Sequence, residues 1–126
     1  MLILGEKAAT AKEDLLAALN DESANVVAVA AEALYNLGER KEAEKGFITV
    51  LGSPNKFACC HALNAMNCIK MESTPQLEEA LINMLKSREL KNTDRWNLVA
   101  GAEWLMNKWD INPKAVSYTH LRAHET

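Results

Sequence analysis

Aromatic side chains are scarce in this chain, at 6% of residues against 48% hydrophobic overall. A core must therefore be built from Ala, Leu, Val and Ile, small residues that let helices pack closely. Positive charge is not in excess either: the net charge is −3. That balance supplies no phosphate-binding surface, and nucleic acid is not expected as a partner. No apolar run reaches the length that spans a membrane. Met1 to Leu4 run straight into Gly5-Glu6-Lys7, so these residues are not expected to be a signal peptide. No convincing period-two alternation marks a strand in residues 1–114.

The motifs of catalysis and metal binding are missing as well. The three cysteines, Cys59, Cys60 and Cys68, form no CxxC pair, so neither a zinc ribbon nor a thioredoxin motif is available. Cys59-Cys60-His61 resembles a ligand run. On a helix, however, consecutive side chains point about 100° apart and cannot converge on one ion. The plainer reading is three small, packed helix residues. The five glycines form no GxGxxG or phosphate-binding loop. Glu32 and Glu103 each sit in an Ala-rich stretch, Ala31-Glu32-Ala33 and Ala102-Glu103-Trp104. Paired carboxylates can do acid–base work. Equivalent places in different repeats instead suggest a recurring structural position.

What the chain does have is internal repetition. Leu4-Gly5-Glu6-Lys7 returns as Leu37-Gly38-Glu39-Arg40, and Leu15-Leu16 with Leu19 returns as Phe47-Ile48 with Leu51. A helical pattern that recurs every 30 to 50 residues or so indicates stacked helix pairs. The first helix is expected over residues 8–19, with Ala8, Ala11, Leu15, Leu16 and Leu19 on one stripe. Asn20-Asp21-Glu22-Ser23 breaks it and offers N-caps. The next helix, over residues 24–37, is apolar nearly all round apart from Asn25, Glu32 and Asn36, so it should be covered on several sides. Gly38 ends it as a C′ residue.

A second pair follows over residues 41–51 and 55–69, with Ser53-Pro54 read as cap and first helical position. Ala62, Leu63, Ala65, Met66 and Ile69 are its inward residues. A third opens at Thr74-Pro75, where Leu77, Ala80, Leu81, Met84 and Leu85 make an amphipathic stripe. A polar stretch over residues 86–93 precedes the last helix, over residues 94–109, and Asn112-Pro113 stops it. The expected fold is all-α: a right-handed α-solenoid of about three helix pairs, divided as 8–38, 39–71 and 72–112. Residues 1–7 are expected to be the end of a preceding repeat, because Met1-Leu2-Ile3-Leu4-Gly5-Glu6 matches the helix end Leu34-Tyr35-Asn36-Leu37-Gly38-Glu39. On that reading the chain is a fragment, truncated at its N-terminus.

The pattern resembles HEAT repeats. The residues that carry the likeness are Leu16-x-x-Leu19-x-Asp21-x-x-x-x-Val26 and Ala30-Ala31-Glu32-Ala33-Leu34-x-x-Leu37-Gly38. HEAT repeats often carry Arg just after the valine that starts the inner helix. Here Val27, Cys59 and Leu98 hold that place, which removes the expected ladder of Asp–Arg contacts. More particularly, Leu15-Leu16-Ala17-Ala18-Leu19-Asn20-Asp21-Glu22-Ser23 and the close, Ala102-Glu103-Trp104-Leu105-Met106-Asn107-Lys108-Trp109-Asp110-Ile111-Asn112, look like the C-terminal helical repeats of some bacterial sulfatases. That resemblance covers residues 1–114.

The sulfatase resemblance implies an upstream α/β domain that hydrolyses sulfate esters. Its formylglycine is made from a Cys/Ser-x-Pro-x-Arg motif and works with calcium. The motif occurs nowhere in this sequence, so no catalytic, cofactor or metal residue carries over and this chain is not expected to be an enzyme by itself. The resemblance implies a non-catalytic accessory region that packs on its own parent enzyme, in the periplasm or outside the cell. The alternative is a stand-alone scaffold that binds a protein through its stacked inner helices. For either, Trp96, Trp104 and Trp109 are the candidate contact residues. Trp96, Ala100 and Trp104 follow one stripe, with Trp109 further round. The plainer reading is that the tryptophans close the end of the stack.

Residues 116–126, Val-Ser-Tyr-Thr-His-Leu-Arg-Ala-His-Glu-Thr, do not continue the repeat. They resemble the conceptual translation of a transposase-type sequencing adapter, with Ala115 compatible with the preceding codon. Residues 115–126 are therefore expected to be a non-native, unstructured tail. His120 and His124 have metal-binding spacing but lack the glutamate of HExxH. Without the tail, His61 is the one remaining histidine.

Overall fold

Ser23, Asn55 and Thr74 start three of the helices, each by turning a side-chain oxygen onto a backbone amide that the first turn leaves without a partner. Ser23 Oγ accepts from the Val26 amide, Asn55 Oδ1 from that of Ala58 and Thr74 Oγ1 from that of Leu77. The computed structural model describes residues 2–86 and 90–112, with the side chains of residues 2–9, 92, 95 and 96 outside that description. It contains α1 (Leu2–Ala18), α2 (Ala24–Asn36), α3 (Arg40–Leu51), α4 (Lys56–Cys68), α5 (Pro75–Lys86) and α6 (Ala100–Lys108). A 3₁₀ turn, Asn92–Asp94, and a π-helical turn, Arg95–Val99, lead directly into α6. The described residues are all-α, with no strand among them.

Boundaries differ from the expectation at three helices, the last of which, expected over residues 94–109, is α-helical only over Ala100–Lys108 and is preceded by the 3₁₀ and π-helical turns. The chain does not break at Gly5: α1 passes through it as one helix of 17 residues. Gly5 shares its Leu-Gly-Glu context with Gly38 yet stays helical, since glycine permits a helix end without requiring one. Pro54 is not the first position of α4. Ser53 Oγ instead accepts from the Asn55 amide, which makes a turn and moves the cap to Asn55. At α5 the expected chemistry holds, with Thr74 as cap and Pro75 in the first position.

The three even-numbered helices end in the same way. The amides of Glu39, Met71 and Ile111 reach back to the carbonyls of Leu34, Met66 and Met106. The amides of Gly38, Lys70 and Asp110 bond to Tyr35, Asn67 and Asn107. This is the Schellman motif three times over, with a left-handed residue at C′: Gly38 at φ 90°, Lys70 at 53° and Asp110 at 57°. The acceptor carbonyls fall 32 and then 40 residues apart. The repeat is thus a structural one, stretched in its last copy by the segment between α5 and α6.

Packing follows the same order. α2 contacts α1, α3 and α4; α3 also contacts α4 and α5; and α4 contacts α6. One continuous core joins Leu34, Phe47, Leu51, Leu63, Met66, Leu81, Leu85 and Leu105, all inaccessible to solvent. Glycine sets the spacing at two crossings. A Cβ on Gly46 would lie 2.9 Å from the Ala31 Cβ, and one on Gly101 would lie 3.3 Å from the Leu63 Cβ. Burial on α1 is weaker than its stripe suggests. Leu15, Leu16 and Leu19 are half-buried and Ala11 is exposed. Lys12 ties this helix to Glu39 by an ion pair of 2.7 Å. α2 is also less covered than expected: Val26 and Val29 are exposed although Val27, Ala28, Ala30, Ala31 and Leu34 are buried.

Candidate functional site

The tryptophans divide into different roles. The side chain of Trp96 lies outside the described residues, as do residues 115–126 with His120 and His124. Trp109 is half-buried, and its indole Nε1–H donates to the Met71 carbonyl at 2.8 Å. Beside it, Lys108 Nζ donates to the Asn67 carbonyl at 3.2 Å. Two side chains at the end of α6 therefore satisfy carbonyls around the end of α4, where helix termini lack partners and where positive charge is favoured. Trp109 does the structural job of joining helix ends. Trp104 does not: it is 66% exposed, with Lys108 Nζ 5.9 Å from its ring centroid.

Trp104 forms one wall of an open groove of about 380 Å³ between α4 and α6. Cys60, Asn64 and Asn67 project from α4 at helical spacings of four and three. Asn97, Ala100 and Gly101 complete the opposite side with Trp104. The small side chains of Ala100 and Gly101 open the space, and Gly101 brings the helices close against Leu63.

Polar capacity in this groove is uneven. Asn67 Nδ2 donates to the carbonyls of Leu63 at 3.0 Å and Gly101 at 3.4 Å, while its Oδ1 is buried with no hydrogen-bond partner. Asn97 Oδ1 accepts from the Leu98 amide, which leaves its Nδ2 to donate. Asn64 is exposed. Among the described residues that line the groove, none is a carboxylate or an ammonium. Burial pushes the Cys60 thiol pKa up, and the nearby Cys59 and Asp94 add to the effect, so Cys60 stays a neutral thiol at pH 7 and makes a poor nucleophile.

The cysteines do not form one buried group. Cys59 is fully buried, with its Sγ donating to the Val50 carbonyl at 3.2 Å; Cys60 is half-buried and Cys68 exposed, and no disulfide joins the three. His61 is half-buried beside them. Among the described residues, no three His, Cys, Asp or Glu side chains gather closely enough to hold a metal ion. No helix there is long and apolar enough to cross a membrane.

Glu32 and Glu103 do not occupy equivalent places. Counted back from the Schellman acceptors, Glu32 stands two residues before Leu34, but Glu103 stands three before Met106. The register pairs Glu32 with Asn64 and Trp104. The π-helical turn ahead of α6 and the longer third unit hide that alignment in the sequence. The signal that could have found the groove is Asn64-x-x-Asn67 on one helix facing Asn97 to Trp104 on another. Only knowledge of which helices touch gives it meaning.

Asp94 anchors the segment before α6. Its Oδ2 accepts from Lys56 Nζ at 2.9 Å and from the Lys91 amide at 2.8 Å. Burial opposes its ionisation, but the Lys91 amide and Lys56 ammonium outweigh it and hold the carboxyl below its usual pKa.

No protein-family model, curated protein or solved structure matches this chain.

Proposed function

We propose that residues 1–114 form a HEAT-like α-solenoid acting as a non-catalytic protein-contact region, whose partner is the catalytic domain of its own parent enzyme. The observation that carries this reading is apolar surface left in water along the even-numbered helices: Val26 and Val29 on α2, Phe57 on α4 at 84% exposure, and Trp104 on α6. Large apolar side chains left exposed on helices that contact one another favour contact with another protein surface. The recurring Schellman ends and the contacts of α2 with α4 and of α4 with α6 suit a stacked array.

The resemblance of residues 1–114 to sulfatase C-terminal repeats makes a formylglycine-dependent sulfatase the proposed parent. Calcium and formylglycine would then belong to the parent's other domain. The test is to sequence the source DNA across both ends of this reading frame. A frame that extends upstream into a Cys/Ser-x-Pro-x-Arg motif supports the sulfatase parent. A stop codon just upstream, followed by a polar capping helix, overturns it and leaves a stand-alone protein-binding scaffold.

A further inference from the structure

We draw no further inference here: the strongest candidate, the apolar surface that Val26, Val29, Phe57 and Trp104 leave exposed along α2, α4 and α6, already belongs to the proposed protein contact, and nothing in the structure shows what covers it.

Discussion

Gly46 of α3 rests against Ala31 of α2 with no room for a methyl group: a Cβ on Gly46 would lie 2.9 Å from the Ala31 Cβ and 2.8 Å from Leu19 Cδ2. Ala would raise the helix propensity of α3 by about 1 kcal/mol, but overpacking a tight contact costs about 1–3 kcal/mol. The steric term wins, because the Ala31 Cβ is fixed to its backbone and cannot rotate away. Gly46→Ala should lose roughly 1–2 kcal/mol in urea unfolding. Gly52→Ala, whose nearest neighbours are carbonyls at 3.6 Å and 3.7 Å, should be neutral or slightly stabilising. Equal effects at the two sites would count against the close α2–α3 approach.

The three Schellman ends differ in the residue placed at the left-handed position. Gly38 occupies it without steric cost, whereas Lys70 does so at φ 53°. A left-handed conformation costs an L-residue roughly 1–2 kcal/mol. Lys70→Gly should therefore stabilise the protein by about 0.5–1 kcal/mol, the gain being reduced by the greater freedom of unfolded glycine. Asp110→Gly should gain less, since Asp tolerates this region better. Gly38→Ala should lose about 1 kcal/mol with no clash involved, as nothing lies within 4 Å of a Cβ there. Thermal unfolding of the three variants checks the order, and a Lys70→Gly protein less stable than its parent would contradict the backbone geometry.

Asp94 should make stability depend on acid. Its carboxyl has a lower pKa folded than unfolded, where it is about 3.9. Its contribution is therefore fully present above the unfolded value and is lost as pH falls through the folded one. Asp94→Asn should flatten that part of the stability profile below about pH 4. At neutral pH, Asp94→Ala should cost about 1–3 kcal/mol, because the Lys56 ammonium and Lys91 amide lose their acceptor. Urea unfolding of parent and variants from pH 2 to 7 measures both effects, and an unchanged acid limb in Asp94→Asn would reject the assignment.

Thiol labelling should proceed in the order Cys68, Cys60, Cys59, following exposed, half-buried and buried positions. At Cys60, the raised thiol pKa slows reaction further near neutral pH. Its rate should keep rising well into the alkaline range. Mass spectrometry of partly labelled protein gives the order. Cys60 reacting first at pH 7 would mean that the groove thiol is activated, contrary to its surroundings.

The tryptophans should separate stability from surface. Trp109→Phe removes the 2.8 Å bond to the Met71 carbonyl and should cost about 1 kcal/mol. Trp104→Ala, on an exposed side chain, should change stability by no more than about 0.5 kcal/mol. A large loss on replacing Trp104 would show that it closes the core rather than facing solvent.

Helix positions were legible because local signals agree with one another. The Leu77, Leu81, Met84, Leu85 stripe is buried as its spacing demands, and Thr74-Pro75 starts α5 with the cap chemistry the two residues carry. Gly38 announced its turn for the same reason. Lys70 and Asp110 did not, because neither residue type requires a left-handed backbone; the helix end and its hydrogen bonds put them there. Gly5 erred in the opposite direction: its neighbours imitate a helix end, yet α1 continues through it.

The site was only partly legible. Three tryptophans stood out by residue type, but nothing in their spacing separated Trp104, in water, from Trp109, bound to a carbonyl of a distant turn. The asparagines of the groove carried no signal, since a solvated Asn on a helix looks the same as one with a buried, unanswered oxygen.

The sequence by itself determined that this chain is helical and where most of its helices start and stop, and it marked the buried face of α5 though not of α1 or α2. Those are consequences of caps and of a 3.6-residue period, both of which act within a few turns. Only the tertiary structure decided which helices touch, that Gly46 and Gly101 set their separation, and that Cys60, Asn64 and Asn67 face Trp104 across an open groove. Such relations depend on contacts between residues about 15 to 45 apart in the chain, from Gly46 with Ala31 to Cys60 with Trp104, and no local periodicity contains them.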